Sequence, residues 1–203
     1  MVKWRFLAAL AIVGLNVPCD ARAPGRATVV TSRALGIRVT KPAGWHTLTA
    51  SQREDSLERM DMDPGLRALA INAGAPPIAF TKFAEPYNDA NPSVEIRVRD
   101  AGKLAGESAA YILNAVLESM LAASNGDLVV NVRDATVGGR PAAYARINSR
   151  LRAGGKTYPT ASEVWIVTRG REVIFIGAGT RVDQTNGTRA EVHRVVQSIR
   201  FTR

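Results

Sequence analysis

Cysteine is nearly absent from this sequence: Cys19 is the only one among 203 residues. It lies within an N-terminal segment that reads as a removable leader, so the rest of the chain has no cysteine at all. A chain without cysteine can form neither disulfides nor thiolate metal sites, and it cannot use thiol catalysis. These three classes are therefore excluded for the part of the protein that follows the leader.

Histidine is also scarce, since only His46 and His193 occur. A Ser/His/Asp hydrolase needs one of them as its base. The sequence contains no G-x-S-x-G elbow and no H-E-x-x-H or H-x-x-x-H spacing. His46 follows Trp45 at a turn, and His193 lies off the centre of an apolar helical stripe, where we expect it to be solvated. We therefore assign no catalytic residue and expect no metal and no cofactor.

No apolar run reaches the roughly 20 residues that a membrane-spanning helix requires. The longest, residues 6–17, follows Lys3 and Arg5 and precedes the A-x-A motif of residues 21–23. Those three parts in that order predict a secretory signal at residues 1–23, with cleavage after Ala21 as the alternative to cleavage after Ala23. The remaining chain, 24–203, is predicted to be one domain that is exported to the periplasm or secreted.

Attachment of a lipid to Cys19 is an alternative fate for the leader. Lipoprotein signals carry a small residue just before the cysteine, whereas Pro18 occupies that position here. We therefore favour an exported protein without a lipid anchor.

Charge is abundant but unbalanced, with a formal net charge of +9. The leader contributes +2, so the rest of the chain carries about +7, which favours acidic partners or surfaces. The arginines are scattered, and no RNP-type, helix-turn-helix or zinc-finger pattern occurs. We expect an unidentified protein or small-molecule partner and no nucleic acid. Peripheral association with a membrane stays open, as does the oligomeric state.

Hydrophobic periodicity predicts an α+β protein. Alternating segments predict strands near 27–31, 35–40, 77–83 and 94–99, and a meander of four strands near 128–135, 141–151, 157–168 and 171–180. Helical spacing predicts helices near 49–60, 66–71, 106–123 and 188–199. This order favours a mostly antiparallel sheet flanked by helices.

Three short segments resemble the PsbP/Mog-like superfamily, which includes the DcrB-type and related bacterial envelope proteins. They are residues 41–45 (KPAGW), 137–142 (VGGRPA) and 197–201 (QSIRF), and the resemblance extends in order over roughly residues 35–201. It implies an α/β/α sandwich with helices on both faces of an antiparallel sheet. It implies accessory or binding roles and supplies no active site to transfer.

The sequence thus predicts an exported, non-catalytic binding or accessory protein of the cell envelope. The hypothetical ligand or partner surface comprises Trp45, His46, Arg97, Arg99, Arg133 and Arg146. Trp45 is also explained as a core residue behind the turn at residues 42–44. The alternatives are a small periplasmic hydrolase that uses His46, and an exported inhibitor or interaction protein with one cognate partner.

Overall fold

A computed structural model describes residues 26–61, 64–153 and 155–202. Over these residues the chain forms two sheets and four α-helices. The strands are β1 (Thr28–Ser32), β2 (Ile37–Lys41), β3 (His46–Thr47), β4 (Ile78–Thr81), β5 (Ser93–Asp100), β6 (Asp127–Val137), β7 (Arg140–Ala153), β8 (Lys156–Arg169), β9 (Glu172–Arg181) and β10 (Arg200–Phe201). The helices are α1 (Ala50–Arg59), α2 (Pro64–Asn72), α3 (Ala109–Ser124) and α4 (Arg189–Gln197), with a short 3-10 turn at Gly102–Leu104.

The larger sheet has seven strands in the order β3-β4-β5-β9-β8-β7-β6, and every neighbouring pair is antiparallel. The smaller sheet has the order β1-β2-β10. The predicted α+β class and the predicted meander, β6 to β9, are confirmed. The sequence pattern does not predict β3 and β10, because two residues are too few to show an alternation.

Helix α3 covers one face of the larger sheet. The hydroxyl of Ser108 accepts a hydrogen bond from the backbone N–H of Tyr111 at the start of the helix, and Asn125 ends it in the left-handed conformation, at φ 44°. Six apolar residues of α3 are buried against the strands: Ala109, Ile112, Leu113, Val116, Leu117 and Met120. Their partners on the sheet include Ala143, Val164 and Ile166.

Helix α4 and the smaller sheet together cover the opposite face. Thr188 and Glu191 form a capping box, in which each side chain accepts a hydrogen bond from the other residue's backbone N–H. Val192, Val195 and Val196 of α4 then pack with Ile37, Val39 and Ile199 onto the sheet. The helices thus lie on both faces, as the resemblance implies.

Helices α1 and α2 contribute to a third apolar cluster, with Leu57 and Ala70 beside Leu151 and Tyr158. None of the helices in the described part of the chain is long and apolar enough to span a bilayer. The predicted signal peptide and Cys19 lie outside the described residues.

Candidate binding site

A buried carboxylate, that of Glu163, lies in the middle of the larger sheet. Strand β8 is buried without a break from Thr160 to Val167, and the Glu163 side chain is only 2% exposed. It points to the face covered by α4, as do Trp165 and Val167 along the same strand. A carboxylate so placed must be paired or hydrogen-bonded to offset its loss of water.

Two side chains contact one oxygen of this carboxylate, Oε2. The Tyr144 hydroxyl donates to it over 3.1 Å from the neighbouring strand β7. Nε2 of His193, on α4, lies in hydrogen-bond contact with the same atom. Because the His193 side chain is 40% exposed, this contact connects the buried carboxylate to the protein surface.

The other carboxylate oxygen, Oε1, is buried and has no hydrogen-bond partner among the described residues. A second buried oxygen without a partner there, the Thr180 hydroxyl, lies on the same face of the neighbouring strand β9. Leaving a buried acceptor unpaired costs about 1–3 kcal/mol, and more when the group is charged. Oε1 therefore favours a donor from outside the protein's own side chains.

Two arginines flank this carboxylate on the same face of the sheet. Arg146 of β7 stands directly opposite Glu163 in the strand register, and its Nε donates to the side-chain oxygen of Asn148 over 3.3 Å. The Arg133 guanidinium of β6 lies over the Tyr144 ring, 5.0 Å from its centroid. One carboxylate and two guanidinium groups thus lie on the same face of three neighbouring strands. We call Arg133, Tyr144, Arg146, Glu163 and His193 the Glu163 site.

Protonation of Tyr144 is fixed by its surroundings. Burial, and then the neighbouring charge of Glu163, raise the pKa of Tyr144 well above its usual range, although Arg146 and Arg133 oppose the shift. The hydroxyl therefore stays protonated at neutral pH and remains a donor to Glu163. The site also has an aromatic wall, because the Trp165 ring centroid lies 5.0 Å from that of Tyr144 and 5.3 Å from that of His193.

The four arginines of the predicted surface do not form one surface. Arg97 and Arg99 lie on the opposite face of the sheet from Arg133 and Arg146. Arg97 donates to the carbonyls of Ala73 and Gly74, and Arg99 donates to that of Ala73. These two arginines bind the chain that follows α2, which is a structural task.

The other two residues of the predicted surface, Trp45 and His46, differ in burial. Trp45 is 5% exposed and packs in the core beneath the smaller sheet, so it is a core residue and not part of an accessible surface. His46 is exposed and pairs with Thr81 at the sheet edge. Burial, and then the charge of Lys41, lower its pKa below the ordinary value, so it is mostly neutral at neutral pH.

The expectation that His193 is solvated holds only in part, because 40% of its side chain is exposed. The residue after it on the helix, Arg194, is exposed, but His193 itself turns toward the sheet and contacts Glu163. Sequence reasoning also passes over Glu163, although a signal exists: it is the only acidic residue in the long predicted strand 157–168. Within the described residues, no cluster of three or more metal-ligating side chains was found.

Solved structures show what this fold is similar to. The solution structure of cyanobacterial PsbP (CyanoP) from Synechocystis superposes with a TM-score of 0.50 and 13% identity, covering 91% of this chain and 98% of that one. LpqN of Mycobacterium tuberculosis, described as involved in cell envelope biogenesis, gives 0.49 and 16%, over 87% and 91% of the two chains. A protein from Bacteroides thetaiotaomicron gives 0.42 and 14%, over 89% and 50%.

At these identities the likeness establishes the fold alone. No protein-family model and no curated protein sequence matches the chain. The chain has a PsbP-like fold, as the three sequence segments imply.

Proposed function

We propose that this protein is an exported, non-catalytic binding protein of the cell envelope and that its ligand occupies the Glu163 site. Export is supported by the charged, apolar and A-x-A parts of residues 1–23. A binding role is supported by one observation above all: Oε1 of Glu163 is buried without a donor among the described residues.

The chemistry of the site indicates what kind of ligand it accepts. Oε1 of Glu163 requires a hydrogen-bond donor, such as an ammonium, amide or hydroxyl group. Arg146, directly opposite, and Arg133, above the Tyr144 ring, favour an anion or a strong acceptor. We therefore propose a small polar ligand that carries a donor group and, next to it, an anionic group.

A hydrolase is the second candidate, because a histidine held by a carboxylate is the arrangement of a general base. The base would be His193 and not His46, whose side chain has no hydrogen bond to a carboxylate or hydroxyl within the described residues. A hydrolase also needs a nucleophile beside that base. Among the described residues, no serine or threonine hydroxyl is hydrogen-bonded to His193, so binding is the better-supported function.

Three simple probes test the ligand proposal: ethanolamine phosphate, which carries both an amine and a phosphate, ethanolamine alone, and inorganic phosphate alone. The measurement is the shift in unfolding temperature that each one causes. We expect ethanolamine phosphate to stabilise the wild type more than either fragment, because ligands that bind only the folded state raise its stability. Glu163→Gln should abolish the amine-dependent part of the shift.

Glu85→Gln is the matched control, since the Glu85 side chain is also 2% exposed but lies elsewhere in the fold. This variant should keep the full response to ethanolamine phosphate. Equal responses of Glu163→Gln and Glu85→Gln, or no response of the wild type to any of the three probes, would contradict the proposed ligand chemistry.

A further inference from the structure

Two segments of the sequence have no acidic residue. No Asp or Glu occurs between Asp20 and Glu54, and none occurs after Glu191. Both segments carry arginines, however. The fold brings the two together, because β1 and β2 come from the first segment and β10 from the second, and these three strands form the smaller sheet.

One face of that sheet packs on the core and the other points outward. Ile37 and Val39 of β2 are fully buried, whereas Arg38 between them is exposed. In the strand register, Arg38 stands between Thr31 of β1 and Arg200 of β10. The adjacent row contains Val29, an apolar side chain that is 46% exposed.

The outward face of the smaller sheet carries positive charge without a counter-charge. Arg38 and Arg200 are both exposed and directly opposite each other, and like charges so placed repel. Arg33, at the turn between β1 and β2, is also exposed. Within the described residues none of these three guanidinium groups has an ion pair with a carboxylate, and Arg200 donates only to the carbonyls of Gln197 and Ile199.

Some arginines elsewhere in the protein, in contrast, form ion pairs with carboxylates. Arg181 forms ion pairs with Asp89 and Asp183, and Arg169 forms one with Glu172. The outward face of the smaller sheet therefore brings three exposed arginines together, and the three strands that form the sheet contain no acidic residue. An uncompensated cationic face of this kind attracts an anionic partner.

We propose that the outward face of the smaller sheet, defined by Val29, Arg33, Arg38 and Arg200, docks on an anionic lipid bilayer. A bilayer suits it better than a folded acidic protein for two reasons. The face combines exposed arginines with an exposed apolar side chain, Val29, which suits the boundary between lipid headgroups and acyl chains. In addition, only four residues separate the predicted leader from β1, so the end of the leader lies at most about 18 Å of extended chain from the start of the strand. A leader inserted in the bilayer during export would thus hold this face beside the lipid headgroups.

Vesicle binding tests this directly. The full chain is sedimented with vesicles of phosphatidylcholine alone, and with vesicles of equal parts phosphatidylcholine and phosphatidylglycerol. Each arginine near an anionic surface contributes about fivefold to the partition coefficient, so Arg38→Glu with Arg200→Glu should lower it about 25-fold or more. At about 1 M salt, where charges are screened within about 3 Å, wild-type binding should also be lost.

The matched control is Arg150→Glu with Arg152→Glu, which changes the net charge equally. Both residues are exposed near the end of β7, far from the start of that strand, where the smaller sheet packs. This control should bind vesicles nearly as the wild type does. Arg33→Glu, in the turn, provides a second test if the double variant fails to fold, and it should weaken binding about fivefold.

Three results would overturn the proposal: no preference for anionic over neutral vesicles, an equal loss in the control pair, or unchanged binding by both the double variant and Arg33→Glu. Soluble polyglutamate serves as a further arm. Binding to polyglutamate without binding to vesicles would indicate an acidic protein partner in place of the membrane.

Discussion

Two glutamates of this protein are buried to the same extent but differ in their hydrogen bonds. The side chains of Glu85 and Glu163 are each 2% exposed. Glu85 lies in the loop between β4 and β5, and both of its oxygens are hydrogen-bonded. Oε1 of Glu163, in contrast, has no partner among the described residues.

The donors to Glu85 come from two parts of the chain, its own loop and α1. Its Oε1 accepts from the side-chain amide of Asn91 at 2.7 Å, and its Oε2 accepts from the backbone N–H of Tyr87 at 3.1 Å and the Ser56 hydroxyl at 3.4 Å. The Arg59 guanidinium lies 3.5 Å from Oε2. Glu85 thus joins the loop to α1, and its task is structural.

Equal burial of Glu85 and Glu163 therefore does not imply an equal role. The protein's own donors bond both oxygens of Glu85, whereas Oε1 of Glu163, beside a partly exposed histidine, can still accept a bond from a ligand. Glu163 also has a cationic neighbour directly across the strand pair, Arg146. We therefore propose that Glu85 stabilises the fold and that Glu163 binds the ligand.

The largest expected effect is on stability at Glu85. Glu85→Ala leaves one N–H of the fully buried Asn91 amide and the Tyr87 N–H without an acceptor, so we expect a loss of about 3 kcal/mol in the free energy of unfolding. Glu163→Ala should cost less, about 1–2 kcal/mol, because the loss of the contacts from Tyr144 and His193 is partly offset by the removal of an unpaired buried oxygen. Urea denaturation of both variants measures the difference. Equal losses would show that the two carboxylates have the same role.

A smaller effect is expected at Tyr144. Tyr144→Phe removes the 3.1 Å bond to Glu163 and keeps the ring beneath Arg133, so we expect a loss of about 1 kcal/mol in unfolding free energy. The same change in the Glu163→Ala background should cost much less, since the acceptor is already gone. Additive losses in this double-mutant cycle would mean that the bond contributes nothing.

The smallest expected effect is the pH dependence of the Glu85 loop. Burial raises the pKa of Glu85 above its ordinary 4.5, although the bonds from Asn91 and Tyr87 and the charge of Arg59 oppose the shift. A raised pKa means that the folded state binds its proton more tightly than the unfolded chain does. The stability from this proton is therefore fully present below pH 4.5 and is lost as the pH rises through the raised value.

The measurement is the unfolding free energy of the wild type minus that of Glu85→Ala, followed over pH. This difference should be larger below pH 4.5 than at neutral pH. A difference that grows toward neutral pH would give the opposite sign and would show that the hydrogen bonds outweigh the burial.

Much of the sheet part of the site could be predicted from the sequence. The glycine pair at positions 154–155 lies between two long predicted strands and predicts a two-residue hairpin, whose loop length sets the register. That register places Arg146 opposite Glu163 and Tyr144 opposite Trp165, and the structure has both pairs. A lone glutamate within an apolar strand indicates a buried charge that must have partners.

The remainder of the site depends on contacts between distant parts of the chain. His193 is 30 residues away from Glu163 in the sequence. It reaches the carboxylate only because α4 packs on the face of the sheet that carries Trp165. Periodicity identifies the buried stripe of α4 but does not say which strand lies beneath its edge. Likewise, alternation along β5 puts Arg97 and Arg99 on one face, but only the position of the chain after α2 supplies the carbonyls that they bind.

The most direct test follows the glutamate carboxyl carbons by ¹³C NMR while ethanolamine phosphate is added. The signals of the two buried groups are assigned from Glu163→Gln and Glu85→Gln. We predict that the Glu163 signal moves as its vacant oxygen gains a donor, while the Glu85 signal stays in place. A Glu163 signal that stays fixed, or a Glu85 signal that moves with it, would contradict the assignment of the sheet carboxylate to binding.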